Sequence, residues 1–544
     1  MTETVLDHPQ LGPLAGVSLP EGGIQFRNVL YATIPQRWQH SVVADDLRVH
    51  APAGKPYDAT QFGPMAPQPD GSISFDFGLI QQTLPVEHSL THSEDKCLNL
   101  VLTTPKPTVD ARLPVVVFVH GGGFFIGGNA WPQYDVRQLV KLAAEKGRPI
   151  VGIGLKYALS ILYRLGLLGA LASSELTPAA EAGNFLFNDQ ANALRWIKKH
   201  VASFGGDPEN VTVMGESAGA ISVWMQFLKG EPLFSRGIVM SGNTRLRQPQ
   251  PLAIGESIYN ELLKEVKADG LPVAERVALL RGLTWQQLIA LPQNTRCYPT
   301  IGGGFDELCW EPKKGSAQIA SNLEWCKTLV VGTCELDGAA MVPTFRHPDA
   351  HGRLRSSMEQ AGLTSTEVDE VFAFYKLEQD SLVTESTGVH TGIVELASDV
   401  RFYVPVITEG RLSANKNLHV YHFHEPNPFK GPFTGRTGHV LDVAYTLQTF
   451  KHLLPAASQA VSEAMGQYVI GVAHGDLDSA AGQPAGSSST AAKLVLVWDT
   501  KHQRQVLSAE EYDRTFRRGS GELLERIGIS KLIRGLDLFQ GWAI

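Results

Sequence analysis

Ser217 stands between two glycines in Gly215-Glu216-Ser217-Ala218-Gly219. The preceding Val211-Thr212-Val213-Met214 is β-branched and apolar, the pattern of a buried strand, and Ala220-Ile221-Ser222-Val223-Trp224-Met225 after it has the pattern of a helix. A serine pinned at such a strand-to-helix turn forms a nucleophile elbow. The turn is so tight that the serine takes a strained backbone conformation and its neighbours two away must lack large side chains. The strain pushes Oγ out above the sheet edge. It also aims the first N–H groups of the following helix at the same spot, where an anion is favoured.

A serine nucleophile needs a base, and the base needs an orienting acid. After an elbow the expected chain order is serine, acid, histidine. For the acid, Leu329-Val330-Val331 runs into Gly332-Thr333-Cys334-Glu335-Leu336-Asp337-Gly338, where Glu335 and Asp337 compete. Both are equally readable as solvated loop charges. For the base, the strand-like Leu418-His419-Val420-Tyr421-His422-Phe423 precedes Gly435-Arg436-Thr437-Gly438-His439-Val440. His439, on a loop beside a glycine, satisfies position and order. His419, His422 and His424 lie in or at the end of the strand and read as structural.

These residues need a scaffold that brings them to one edge. Leu113 to Val119 is apolar enough to be a central strand, and it ends in His120-Gly121-Gly122-Gly123-Phe124-Phe125. Tyr134–Lys146 reads as a helix, Pro149–Lys156 as a buried strand, Asn188–Phe204 as a helix and Gly237–Ser241 as a strand. Alternating strands and helices predict a mostly parallel sheet with helices on both faces, whose ligand site lies beyond the strand C-termini. His120–Gly123 and Ser217 both sit at such ends. The expectation is an α/β protein of the α/β-hydrolase fold, taken as one domain over residues 1–544, with a small N-terminal β meander from Gly16 to Tyr31. Residues 51–93, rich in Pro, Gly, Ser and Gln, read as a long loop, and Asp476–Ala492 as a flexible surface loop.

Composition narrows the function. Hydrophobic residues make up 43% and charged ones 19%, a globular profile, and the net charge of −8 argues against nucleic acid or an anionic membrane as partner. No basic start leads into an apolar run, and no stretch of about 18 apolar residues predicts a membrane span. The cysteines are Cys97, Cys297, Cys309, Cys326 and Cys334, thinly spread and without zinc-ligand spacing, so a reducing, cytoplasmic setting is expected.

Several blocks together resemble the type-B carboxylesterases, the family of cholinesterases, related fungal lipases and liver-type esterases. They are Phe204-Gly205-Gly206-Asp207-Pro208-Glu209-Asn210-Val211-Thr212, Ser93-Glu94-Asp95-Lys96-Cys97-Leu98-Asn99-Leu100, His120–Phe124, and Gly183-Asn184-Phe185 through Asp189-Gln190. The resemblance spans residues 12 to 500 or so. It implies Ser217 as nucleophile, His439 as base and Asp337 as the acid, a place usually held by Glu. It implies Gly122, Gly123 and Ala218 as the N–H donors of an oxyanion hole. It further implies bracing ion pairs Arg37–Glu94 and Arg164–Asp189, and Glu216 as a pocket acid that tunes the histidine, although a plain backbone-bonded carboxylate is an equal reading. The implied reaction is hydrolysis of a small-molecule carboxylic ester through an acyl-enzyme, with no metal and no organic cofactor. Acyl transfer from the same site is the main alternative, and a non-catalytic binding homologue is disfavoured by the intact Ser217, Asp337 and His439.

The chain also departs from the family. Ala66, after Phe62-Gly63-Pro64-Met65, stands where the family places a cysteine bonded to the one equivalent to Cys97, so the 66–96 loop is expected to be unclosed. The expectation is a loop held by packing and by Arg37–Glu94, easier to open as a lid, unless Phe75, Phe77, Leu79 and Ile80 anchor it fully. Lys96 is an extra residue in its block, and Tyr157–Leu162 looks like an insertion before Tyr163-Arg164. Phe124, Phe125, Trp131, Phe429 and Phe433 lie near the motifs and are candidates either for an apolar pocket or for core.

Overall fold

Along Leu113–Val119 the side chains alternate between two cores: Val115, Val117 and Val119 pack on one side of the sheet, Val116 and Phe118 on the other. The strands on either side repeat this, with Val211 and Val213 against Met214, and Val239 against Ile238 and Met240. Both faces are covered, which is why these strands are unbroken apolar runs. The structure is a computed structural model. It describes residues 2–86, 89–105, 110–128, 131–153, 162–243, 245–302, 319, 321–378, 383–384, 386–412, 417–476, 494–501 and 503–542.

The main sheet contains β1 (Glu3–His8), β2 (Gly12–Ser18), β3 (Ile24–Leu30), β4 (Asn99–Thr104), β5 (Leu113–Val119), β6 (Val151–Ile153), β7 (Gly206–Glu216), β8 (Arg236–Met240), β9 (Thr328–Cys334), β10 (Leu418–Phe423), β11 (Leu494–Trp498) and β12 (Gln505–Ser508). The short Tyr57–Asp58 strand pairs with β2. The spatial order is β1-β2-β3-β4-β6-β5-β7-β8-β9-β10-β11-β12. From β6 to β11 every neighbour is parallel. The flanks are antiparallel, including the N-terminal meander. This is the α/β-hydrolase architecture expected. From β5 the chain goes to β6 on one side and then to β7 on the other. The strand order reverses there, and a crevice opens beyond the strand C-termini.

The helices that matter for the site are α1 (Ile73–Ile80), α2 (Phe185–His200) and α3 (Ala218–Lys229). The presence of α1 corrects the expectation of unbroken loop over 51–93. Its Phe77, Leu79 and Ile80 are buried, so tertiary packing stabilises an eight-residue helix that would be marginal alone. Beyond β10 the chain adds β11 and β12, which local patterning had not marked, and helices to Ile529–Gln540, in line with the more helical pattern read beyond residue 245. All of the supposed Tyr157–Leu162 insertion but Leu162 lies outside the described residues, as does nearly all of the Asp476–Ala492 stretch.

The 66–96 segment is tied down more firmly than packing and one ion pair would allow, a second correction. Gln68 donates to the Gly127 carbonyl (2.6 Å) and accepts from the Gly127 N–H (2.9 Å). Asp76, buried on α1, accepts from the Tyr134 hydroxyl and from Gln133. Asn427 donates to the Ile80 carbonyl (3.0 Å), and Gln81 accepts from the Phe433 N–H (2.5 Å) and donates to the Phe429 carbonyl (3.2 Å). Ala66 and Cys97 sit in the same core, and Cys97 is a buried free thiol. Among the described residues no helix is long and apolar enough to cross a membrane.

Candidate active site

Ser217 has φ 55° and ψ −119°, a region that costs a non-glycine residue about 1–3 kcal/mol. The two glycines make that turn possible. A Cβ on Gly215 would lie 2.3 Å from the Gly219 carbonyl oxygen, and one on Gly219 would lie 2.0 Å from the Val119 carbonyl oxygen. The turn is fixed from β8, where the Met240 carbonyl accepts the Ser217 N–H at 2.9 Å. Ser217 therefore sits at the N-terminus of α3, partly exposed to the crevice.

The competition between Glu335 and Asp337 is resolved by geometry. Asp337 Oδ1 lies 2.7 Å from His439 Nδ1, and Oδ2 accepts the Cys334 N–H at 2.9 Å. Glu335 is instead held by Arg436 Nε (2.6 Å) and by the Thr437 N–H (3.0 Å). With the Leu336 N–H donating to the Thr437 carbonyl (2.8 Å), Glu335 zips the acid loop to the histidine loop. It is a positioning residue rather than the free loop charge that sequence alone allowed. His422, fully buried, shares a hydrogen bond with Thr333 (2.8 Å) and stacks on Tyr512, while His424 bonds the Tyr512 hydroxyl (2.6 Å). His419 lies on β10. All three belong to the scaffold side, as expected.

His439 Nε2 is 2.9 Å from Glu216 Oε1, and both side chains are buried. The two form a buried ion pair, and among the described residues neither Glu216 oxygen has a hydrogen-bond partner beyond that contact. Burial by itself lowers the His439 pKa. The Glu216 and Asp337 carboxylates outweigh it, and the imidazole is raised well above its ordinary 6.5. Burial pushes the Glu216 carboxyl up to about 7, against the pull of His439 and with help from buried Asp76 and Asp442. Glu216 thus faces the histidine as the resemblance implied.

The glycine loop after β5 approaches the same point. Gly122 has φ +91°, and a Cβ there would lie 2.2 Å from the Ile126 carbonyl oxygen, so only glycine fits. Gly122, Gly123 and Ala218 line one cavity with Ser217 and His439. His120 holds the loop from below: it stacks on Tyr163, whose hydroxyl donates to the His120 carbonyl (3.1 Å), and burial pushes its pKa down to about 4. The bracing pairs are present. Arg37 meets Glu94 at 2.5 Å, and Arg164 meets Asp189 at 2.8 Å with both side chains buried.

The cavity encloses about 340 Å³. Of the aromatic candidates only Phe125 lines it. Phe124, Trp131, Phe429 and Phe433 belong to the cores. Further apolar walls include Phe75 on α1, Ile221, Met341 and Phe402, and Leu246 and Trp542. These were missed because they converge from far apart in the chain and belong to no motif. Among the described residues no group of three or more His, Cys, Asp or Glu is arranged to hold a metal ion.

The model of the carboxylesterase family matches residues 4–511. Lipase 3 of Yarrowia lipolytica is 27% identical over 463 residues, covering 82% of this chain and 84% of that protein. Para-nitrobenzyl esterase of Bacillus subtilis is 34% identical over 210 residues, 38% of each. Among solved structures, a thermophilic para-nitrobenzyl esterase superposes with a TM-score of 0.69 at 20% identity, over 96% of this chain and all (100%) of that one. Juvenile hormone esterase of Manduca sexta, with OTFP covalently attached, gives 0.68 at 20% identity, over 97% and 99%.

Proposed function

We propose, for a chain that belongs to the carboxylesterase family, that Ser217 attacks the carbonyl of a carboxylic ester while His439 takes its proton. The reaction class, hydrolysis of carboxylic esters, follows from family membership and from relatives that are lipases and esterases. The oxyanion of the tetrahedral intermediate is held by the N–H groups of Gly122, Gly123 and Ala218. His439 then protonates the departing alcohol, and the acyl group stays on Ser217. Water enters, His439 removes its proton, and the acid leaves. Asp337 keeps the imidazole in one tautomer and stabilises it when charged.

The observation that carries this reading is the 2.7 Å contact of Asp337 with His439, on an imidazole that shares one cavity with Ser217 and both loop glycines. The apolar walls suit an ester with an apolar acyl or alcohol part. The test is labelling with a fluorophosphonate probe followed by peptide mapping, alongside turnover of p-nitrophenyl esters. Modification at Ser217 with loss of turnover supports the assignment; modification elsewhere, with turnover unchanged, removes it. The cytoplasmic setting is part of the same proposal. What supports it is the Cys97 thiol, buried in one core with Ala66 where the related enzymes are expected to carry a disulfide. Recovery of the protein from a secreted fraction would overturn it.

A further inference from the structure

At Leu246, Arg247 and Trp542 the catalytic cavity meets a second pocket of about 480 Å³. Its walls carry four guanidinium groups, Arg245, Arg247, Arg401 and Arg534, and one carboxylate, Asp537. In a chain of net charge −8 this is a local concentration of the opposite sign. Asp537 is already taken by Arg401, at 2.7 Å. Arg245, Arg247 and Arg534 have no carboxylate within ion-pair distance among the described residues. Arg401 is 2% exposed, and its Nε has no hydrogen-bond partner.

Arg247 sits at the junction of the two pockets. Its guanidinium lies over the rings of Tyr298 (5.1 Å) and Trp542 (5.4 Å), and among the described residues its one hydrogen bond is a long one of 3.5 Å to the Cys297 carbonyl. The two cation–π contacts hold the group at the junction and leave N–H donors for an acceptor, and the planar fork of a guanidinium suits a carboxylate. Arg401 stacks on the same indole, at 4.9 Å. Two like charges share this one indole, one of them buried with an unused donor, and an anion relieves such a setting. Burial lowers the Arg401 pKa and Arg247 lowers it further, against the upward pull of Asp537.

We infer that this arginine pocket is a specificity subsite: the preferred substrates are esters that carry a free carboxylate remote from the scissile bond, bound by Arg247 and its neighbours while the ester carbonyl lies at Ser217. This rests on the proposed ester hydrolysis and adds the class of ester.

The test uses p-nitrophenyl monoesters of linear α,ω-dicarboxylic acids over a series of lengths. Each is paired with the neutral analogue whose far carboxylate is a carboxamide. For at least one length the wild-type enzyme should turn over the carboxylate with a kcat/KM about tenfold or more above the carboxamide. That preference should shrink as salt is raised. Arg247→Gln should bring the carboxylate-to-carboxamide ratio of kcat/KM down to about one, mainly through a raised KM for the carboxylate. If Arg247→Gln also loses the carboxamide reaction, the exposed Arg534→Gln carries the same comparison. Equal kcat/KM for both members at every length, or a preference that survives both substitutions, overturns the subsite. Calorimetric binding of each pair to Ser217→Ala separates this from the catalytic reading. If Ser217→Ala still hydrolyses the esters, the mechanism fails, and carboxylate-selective binding that Arg247→Gln removes still establishes the pocket.

Discussion

His439 Nε2 stands 2.9 Å from Oε1 of Glu216, the residue directly before the nucleophile. In the proposed mechanism this nitrogen receives the serine proton, and in the resting protein a buried carboxylate holds it. The pair stabilises an imidazolium, the form that cannot act as base. It also stabilises the same imidazolium once the proton has come from serine, so one contact favours the charged transition state and opposes the free base.

The pH dependence follows with a definite sign. A histidine raised well above 6.5 is still protonated at pH 6.5, so kcat/KM should climb as pH rises through that higher value, and its acid limb should lie above 6.5. Glu216→Gln removes one of the two carboxylates that raise it, and the limb should move to lower pH. A kcat/KM profile whose acid limb stays in place or moves upward contradicts this account.

Ser217→Ala should lower ester turnover by about 10⁴- to 10⁶-fold, the range for loss of a triad member, while thermal unfolding is kept or improved. The elbow strain at φ 55° remains, so no large gain in stability is expected. Activity of purified Ser217→Ala at a sizeable fraction of wild type would falsify the nucleophile assignment.

Asp337→Asn and Glu335→Gln should separate cleanly. Asp337→Asn removes the carboxylate 2.7 Å from His439 and should cost about 10³- to 10⁴-fold in kcat. Glu335→Gln loosens the Arg436 and Thr437 contacts and should cost about tenfold or less, with lower stability of the histidine loop. Steady-state kinetics on both variants decides, and the opposite ranking would shift the acid role to Glu335.

Segment 73–81 should behave as a docked element rather than a loose lid. Its amides should exchange with hydrogen-exchange protection approaching that of Leu113–Val119, given the Asp76–Tyr134 and Gln81–Phe433 bonds. Gln81→Ala should raise exchange across Ile73–Ile80 without touching β5. Rapid exchange of Ile73–Ile80 in the wild type would restore the lid.

Some of this was legible in the chain because the physics is local. A Gly-x-Ser-x-Gly turn between a β-branched run and a helix dictates its own geometry. The clash distances at Gly215 and Gly219 arise from backbone atoms of the turn and of the strand beside it. Short apolar, β-branched runs revealed β5, β7, β9 and β10, and the order of strands and helices gave the parallel sheet and its active edge. His439 followed from chain order and a glycine-rich loop, and the family resemblance then pointed to Asp337, Gly122, Gly123 and Ala218.

Other features depend on contacts between residues with no relation in sequence, and only the tertiary structure decided them. Glu335 and Asp337 are two residues apart and chemically alike; which one meets the imidazole depends on how the loop after β9 lies against residues 435–439. Helix α1 is hidden in a Gly- and Pro-rich stretch because its stability comes from Tyr134, Asn427 and Phe433, distant residues that donate hydrogen bonds to it and to Gln81 at its end. The cavity walls and the arginine pocket gather side chains from residues 75 to 542. Periodicity records which face of an element is buried. It carries no information on which distant side chain that face will meet, and the shape and charge of the substrate site are made of such meetings.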